Sequence, residues 1–179
     1  MTFARRTLLA LGGLLLAACT NQAPTPTPPP SGAPSPPTAT GAACAAADLS
    51  ASAGGWSAAA GSRGADILVE NAGSSACVLA AAPSVAIVDD AASVVLEGDP
   101  GESGTGAGPT LEPGGTVTFT VLASNWCDEP AGLPYHLVLR ADGGAVQVTG
   151  LDLATADDLP PCNGPGQPAT LSANAWVLP

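Results

Sequence analysis

The chain has 179 residues, of which 15 are acidic and four are basic, so its formal net charge is −11 at pH 7. Lysine is absent, and aromatic residues make up 3% of the chain. Nucleic acid and anionic lipid headgroups repel so acidic a chain, so neither is expected to bind the protein surface.

The first 18 residues have the layout of an export signal. Arg5 and Arg6 precede an apolar run over residues 8–16, and two alanines then lead to Cys19. This order of basic, apolar and small residues is that of a secretory signal peptide. The apolar run is too short to span a bilayer, which takes about 20 residues. The adjacent arginines leave both Sec-type and twin-arginine export open.

The stretch Leu16-Ala17-Ala18-Cys19 resembles the lipobox of bacterial lipoproteins. The resemblance implies that residues 1–18 are removed and that Cys19 carries a diacylglycerol and an N-acyl chain such as palmitate. Two or more acyl chains anchor a protein stably. We therefore expect a protein held at the cell membrane by its lipid, on the extracytoplasmic side. Cleavage leaves two arginines against all 15 carboxylates, a formal charge of −13.

Residues 19–43 are predicted to form the lipidated N-terminus and a linker. Eight prolines lie between Pro24 and Pro37, interleaved with Thr, Ser, Ala and Gly. Such a segment cannot build a core and is typical of a disordered, extended tether. Its 14 residues would span about 40 Å. Glycosylation of its hydroxyl side chains stays open.

Residues 44–179 have the size of one domain. Their apolar residues come in short runs separated by Gly, Pro, Asn and Asp, and in Thr116–Leu122 they alternate with threonine, which is typical of a half-buried strand. We predict an all-β fold, an antiparallel Ig-like β-sandwich of about seven to nine short strands. Asp142-Gly143-Gly144 is the strongest hairpin signal. We interpret the alanine-rich runs as small residues that pack within the β fold and not as helices. A short helix within residues 151–158 is an alternative.

The predicted strands are centred on Asp66–Glu70, Ser84–Val88, Val94–Leu96, Thr116–Leu122, Tyr135–Arg140 and Ala145–Thr149.

Four cysteines follow Cys19, namely Cys44, Cys77, Cys127 and Cys162. An even number in an exported domain predicts two disulfides, and none of these cysteines has the close spacing of a zinc site. Of three possible connectivities we favour Cys44–Cys77 with Cys127–Cys162, because sequential pairing ties each chain end to a neighbouring strand. Each bridge would stabilise the domain by about 4 kcal/mol.

The order of several motifs from residue 44 to 179 resembles the domain of unknown function numbered 4232, which is common on actinobacterial lipoproteins. The motifs are Cys44, Asp48-Leu49, Ala59-Ala60-Gly61, Asn71, Cys77-Val78-Leu79, Pro83-Ser84-Val85, Val88-Asp89, Leu111-Glu112-Pro113-Gly114, Cys127 and Cys162. The resemblance implies a β-sandwich and the sequential disulfides. It supplies no catalytic residues.

The chain offers few residues that could act as catalytic groups. His136, the one histidine, shares a strand face with Val138 and Arg140, which favours a surface or sheet-edge position. A Ser-His-Asp triad needs a positioned serine, and Ser103 does not lie in a G-x-S-x-G motif. Paired cysteines and the absence of lysine remove two further nucleophiles. We therefore expect no enzyme, and a hydrolase built on Ser103 and His136 is the last alternative.

Glu97, Asp99 and Glu102 lie in a Gly-rich segment and are candidate calcium ligands. The segment lacks the spacing of an EF-hand, which favours a solvated acidic loop. No metal or cofactor is expected beyond the lipid on Cys19.

The tryptophans and the tether suggest a binding module. Trp126, beside Cys127, is expected to pack in the core against a disulfide. Trp56 and Trp176 are expected to pack at the terminal strands, although either could be an exposed binding aromatic. The function expected is non-catalytic binding of an envelope protein or a wall polymer. A spacer without a ligand and a calcium-dependent module are the alternatives.

Overall fold

The computed structural model describes residues 41–99, 107–128, 132–151 and 153–179. The predicted signal peptide, Cys19 and the linker up to residue 40 lie outside the described residues, as do Glu102 and Ser103. The described part of the chain contains eleven strands and two short 3₁₀ turns, at Ala46–Asp48 and Ala156–Asp158.

The strands are β1 (Leu49–Ala53), β2 (Ser57–Ala59), β3 (Ser62–Asn71), β4 (Cys77–Val78), β5 (Val85–Asp89), β6 (Val94–Glu97), β7 (Thr110–Leu111), β8 (Thr116–Ser124), β9 (Tyr135–Ala141), β10 (Gly144–Thr149) and β11 (Thr170–Ala173).

Eight of these strands form one sheet in the order β11-β8-β3-β1-β10-β9-β5-β6, and β2 pairs with β3 beside that path. The remaining two, β4 and β7, form a separate two-stranded ribbon. The strand pairs are antiparallel, except that β1 runs parallel to β10 through Ala51 with Val148 and Ser52 with Thr149. That parallel pair joins the β3–β8 half of the sheet to the β9–β5 half.

The two end strands of the sheet, β6 and β11, come close to each other, so the sheet nearly closes on itself. Asp99 follows β6, and its N–H donates to the carbonyl of Leu171 on β11 at 2.8 Å. The two halves therefore face each other across a common core, and the predicted all-β, sandwich-like fold is confirmed. The strand number exceeds the seven to nine expected because several strands are short runs of small residues that give no apolar signal.

The core follows the alternation predicted from the sequence. Val117, Phe119 and Val121 of β8 are buried, whereas the threonines between them are partly exposed. Leu137 and Leu139 of β9 face them from the other half and are also buried. Each branched side chain removed from water in this way contributes about 1.5–3 kcal/mol to stability.

The predicted hairpin is present, with β9 and β10 joined through Asp142 and Gly143. Gly143 has a φ of 71°, which is a left-handed backbone conformation that glycine adopts without strain. The possible helix within residues 151–158 is limited to the 3₁₀ turn. Asp158 caps this turn by accepting hydrogen bonds from the Thr155 N–H and hydroxyl, at 2.9 and 2.8 Å. Both hydrogen bonds lower the pKa of the Asp158 carboxyl, and the bond from the Thr155 hydroxyl has the larger effect.

The chain enters the domain as extended backbone held on both sides. On one side Val78 donates to the carbonyl of Ala42 and accepts from the N–H of Cys44, at 2.8 and 3.0 Å. On the other side Asp142 accepts from the N–H of Ala46 and donates to the carbonyl of Cys44, at 2.9 and 3.2 Å. The alanine-rich run at the domain start is therefore a pairing segment followed by one 3₁₀ turn.

Two disulfides join Cys44 to Cys77 and Cys127 to Cys162, as favoured from the sequence. They close loops of nearly equal length, with sequence separations of 33 and 35. Their surroundings differ, because Cys44 and Cys77 are buried in the core whereas Cys162 is exposed.

Asn71 is a fully buried polar residue at the end of β3. Its side-chain amide donates to the carbonyls of Ser75 and Leu111 at 2.8 and 3.0 Å, and its side-chain oxygen accepts from the N–H of Gly73 at 3.0 Å. One side chain thus satisfies three backbone groups and fixes the turn after β3 against β7. This explains why asparagine can be buried here at little cost.

Replacing Asn71 with alanine is expected to lower the free energy of unfolding by about 2–3 kcal/mol, because the buried carbonyl of Leu111 and two backbone groups in part-buried hydrogen bonds lose their partner. Urea denaturation measures the loss. Asn174→Ala is the matched control, since Asn174 is exposed. Equal stability of both variants would show that Asn71 does not hold this turn.

Candidate functional site

The outer surface of β5, β6, β9 and the adjoining part of β10 brings apolar side chains together with hydrogen-bonded polar groups. We call this surface the β6 face. Its apolar members are Val88, Val94, Val95 and Val138, and its polar members are Asp90, Glu97, His136, Arg140 and Gln147. Val88 and Val138 form an apolar cluster with Ala86 that is separate from the main core. Ala86 is fully buried although it lies on the outer side of its strand.

Two adjacent valines project from the β6 face. The register pairs Ile87 with Leu96 and then Val88 with Val94, so Val95 is an extra residue in β6. Such a bulge turns consecutive side chains away from a strict in-and-out alternation. Leu96 packs against the core, while Val94 and Val95 are 49% and 38% exposed.

Arg140 and Glu97 form a bidentate pair across β5, above Ala86. Nε of Arg140 donates to Oε1 of Glu97 at 2.9 Å, and one terminal nitrogen donates to Oε2 at 2.6 Å. The hydrogen bond to Glu97 raises the pKa of Arg140, which stays a permanent cation. The pair fixes two long side chains on an otherwise small-residue surface.

His136 is held by two neighbours at the same face. Nε2 lies 2.8 Å from Oδ1 of Asp90, and Nδ1 lies 3.0 Å from Nε2 of Gln147. An amide N–H donates, so Nδ1 acts as the acceptor and Nε2 carries the proton that is shared with Asp90. Both ring nitrogens are therefore occupied, and His136 occupies the partly exposed strand position expected from the sequence.

The candidate calcium ligands are not brought together among the described residues. Both oxygens of Glu97 are occupied by Arg140, and Asp99 lies at the margin between β6 and β11. Glu102 lies outside the described residues. Within the described ranges no group of three or more His, Cys, Asp or Glu side chains could hold a metal ion.

A groove of about 520 Å³ lies where the chain enters the domain, and its lining is mainly apolar. Gly41, Cys44 and Val78 line it, together with Trp176. The ring of Trp176 packs edge-on against Phe119 with a centroid distance of 5.2 Å, and its N–H donates to the carbonyl of Ala80 at 2.8 Å. Trp176 therefore closes one end of the core, as expected of a terminal-strand tryptophan.

A second cleft, of about 450 Å³, lies beside Trp126 and Arg63. The Arg63 guanidinium donates to the backbone carbonyls of Leu159 and Asp157, so it ties β3 to the loop that carries Cys162. Trp126 is half-buried and packs on Tyr135 at 5.6 Å between ring centroids. These contacts stabilise the end of the fold.

Trp56 is half-buried against the core, which agrees with terminal-strand packing. Its indole nitrogen is buried and has no hydrogen-bond partner among the described residues.

Asn125 organises the loop next to the second disulfide, a role that was not predicted from the sequence. Its side-chain oxygen accepts from the N–H groups of Asn163 and Gly164 at 3.0 and 2.8 Å. Its amide donates to the carbonyl of Gln167 at 2.8 Å. Its φ of 56° is a left-handed conformation that asparagine adopts more readily than most residues. That preference is the one signal that could have singled it out.

The fold defines a small, sandwich-like β domain with two disulfides and, on β5, β6 and β9, an outer face that combines apolar and hydrogen-bonded polar side chains. A family model described as Domain of unknown function (DUF4232) matches residues 44–176, and the chain belongs to that family. No curated protein and no solved structure matches the chain. The described residues include no helix that is long and apolar enough to cross a membrane.

Proposed function

We propose that this chain is a lipid-anchored lipoprotein on the extracytoplasmic side of the cell membrane. The support is the export-type leader that ends in Leu16-Ala17-Ala18-Cys19. Acylation of Cys19 would hold the protein without any help from its surface, which is acidic and free of lysine. The proline-rich segment would then separate the domain from the bilayer.

The domain is proposed to bind another envelope component without catalysing a reaction. The observation that carries this proposal is the β6 face, where two exposed valines are framed by polar side chains already held in place. Apolar centres with fixed polar surroundings are typical of protein interfaces. His136 supports a non-catalytic role, because its two ring-nitrogen partners, Asp90 and Gln147, include no hydroxyl or thiol nucleophile that it could activate.

Site-specific photo-crosslinking in the cells that make the protein tests this proposal. A photoreactive residue at Val95 is expected to give a crosslinked product, and one at Leu68 is not. Leu68 is a matched control because it is 41% exposed, against 38% for Val95, and lies on the other half of the sheet. Absence of a product at Val95 would instead favour a spacer role without a dedicated ligand.

A further inference from the structure

We propose that the cleft beside Trp126 and Arg63 binds a sugar unit that carries a carboxylate. This cleft, called the Trp126 cleft below, lies between the start of β3 and the loop of residues 156–162 and has a volume of about 450 Å³. None of the residues that line it belongs to the β6 face, so this second site goes beyond the proposed function. Pockets of this size bind small ligands through an apolar surface and a few fixed polar groups.

Arg63 is a cation without a carboxylate partner among the described residues. The ion pairs in that part of the chain join His136 to Asp90 and Arg140 to Glu97. The chain holds 15 acidic residues, so a guanidinium that none of the described ones pairs with is unusual. Such a group is available for an anionic group of a ligand.

Backbone carbonyls hold the Arg63 guanidinium in place. Nε donates to the carbonyl of Leu159 at 3.2 Å, and one terminal nitrogen donates to the carbonyl of Asp157. A guanidinium has five N–H groups, and the described residues provide no acceptor for the other three. Carbonyl oxygens orient the cation without neutralising it. A carboxylate that approaches both terminal nitrogens can therefore accept two parallel hydrogen bonds.

Nearby acidic residues favour a ligand with a single negative charge. Asp157 lines the cleft, and Asp158 follows it on the same 3₁₀ turn. The pKa of Asp158 is lowered first by the hydrogen bond from the Thr155 hydroxyl and least by the charge of Arg63, so Asp158 is committed to its cap. These carboxylates and the net charge of −11 repel a polyanion more than a ligand with one carboxylate.

Trp126 gives the cleft an apolar surface. Its ring is half-buried, packs on Tyr135 at 5.6 Å between centroids and lines the cleft together with Arg63. The small residues Ala58 and Ala60 also line it and leave room for a ring. A pyranose has C–H groups on its face and hydroxyl groups at its rim. It can therefore cover an indole while its hydroxyl groups keep hydrogen-bond partners.

A neighbouring cleft of about 490 Å³ offers space for further sugar units. The two clefts meet at the turn of residues 60–62, which lines both. The second one is also lined by the hydroxyl side chain of Ser124 and the amide side chains of Asn163 and Gln167. Hydroxyl and amide groups both donate and accept, as sugar hydroxyls require. The C-terminus of a peptide would also bring a carboxylate, but it has no ring to cover the indole.

The test uses the whole chain, labelled with ¹⁵N, in neutral detergent micelles. The probes are N-acetylmuramic acid and methyl glucuronide, which carry their carboxylates at different positions of the ring. Their neutral counterparts are N-acetylglucosamine and methyl glucoside. Acetate and acetyl-alanyl-alanine present a carboxylate without a sugar. Affinities are measured by NMR titration at low salt, from the backbone amide shifts and from the indole N–H of Trp126.

The carboxylated sugars are expected to shift the Trp126 indole N–H and the amides of residues 60–62. At least one of them should bind about tenfold more tightly than its neutral counterpart, and the tighter one identifies the position of the carboxylate.

Ala58→Glu is expected to abolish this preference. Ala58 is exposed and is the register partner of Arg63, so a glutamate there can pair with the guanidinium. Ala58→Gln is the matched control and should change the affinity by less than about twofold. Neither variant removes the hydrogen bonds that hold Arg63. The titrations of the unaltered chain decide the proposal even if Ala58→Glu does not fold.

Equal affinity for the acidic and neutral sugars in both pairs, or equal effects of the two Ala58 variants, would overturn the role of Arg63. If acetate or the peptide binds as tightly as the carboxylated sugars, sugar recognition is rejected. Shifts that exclude the Trp126 cleft, or none with either acidic sugar, would overturn the site. None of these outcomes depends on a crosslink at Val95, so the two binding proposals are tested separately.

Discussion

Replacing Cys19 with alanine is expected to move the protein from the membrane fraction to the soluble fraction with its β domain still folded. Each acyl methylene in the bilayer contributes about 0.8 kcal/mol, so loss of the acyl chains removes essentially all of the proposed attachment. The substitution also extends Ala17-Ala18 into an A-x-A pattern, which an ordinary signal peptidase cleaves. Cell fractionation with immunoblotting measures the redistribution.

Mass spectrometry of the released protein provides the control. The product should begin at or near position 19 or 20 and carry no lipid, whereas the unaltered protein should carry its acyl chains on Cys19. Ser31→Ala, within the proposed linker, should leave the protein at the membrane. Retention of a correctly cleaved Cys19→Ala protein in the membrane fraction would refute the proposed anchor.

Removal of the Cys44–Cys77 disulfide by a double alanine substitution should destabilise the domain more than removal of Cys127–Cys162. The chain-entropy contribution is about 4 kcal/mol for each bridge, because the loops are almost equal in length. Cys44 and Cys77 are also buried in the core, so their truncation leaves a cavity that adds to the loss. Denaturant unfolding of the Cys19→Ala protein, with and without each bridge, measures the difference.

Limited reduction gives an independent measurement of the same asymmetry. A water-soluble phosphine should reduce Cys127–Cys162 before Cys44–Cys77, because Cys162 is exposed and both cysteines of the other bridge are buried. Alkylation followed by peptide mass spectrometry identifies which thiols appear first. Simultaneous reduction of both bridges would mean that the domain opens as a whole before either bridge is attacked.

The strands that the sequence predicts well are those with branched apolar residues at alternate positions. In β8 the alternation of Val117, Phe119 and Val121 with threonine indicates which side faces the core, and the structure agrees. In β1 and β2 the residues are mainly alanine and serine, whose side chains are too small to reveal a buried face. Their place in the sheet is instead determined by pairing with the long strand β3.

The β6 face depends on contacts that no local pattern contains. Glu97 and Arg140 are 43 residues apart in the sequence and meet only because β5 lies between their strands. The exposure of both Val94 and Val95 follows from a bulge in the pairing with β5, which the sequence Val-Val-Leu does not reveal. Glu97, one of the three candidate calcium ligands, is paired through both carboxylate oxygens with Arg140, a contact that the local sequence does not indicate.

The way the chain enters the domain has a mechanical consequence. Tension applied ahead of Gly41 first meets backbone hydrogen bonds from Ala42–Ala46 to Val78 and Asp142. If those bonds yield, Cys44 is still joined covalently to Cys77, so the pull passes into β4 without extending residues 44–77. Hydrogen bonds yield at modest forces, whereas a disulfide does not. The domain therefore resists stretching that is applied from its N-terminal side.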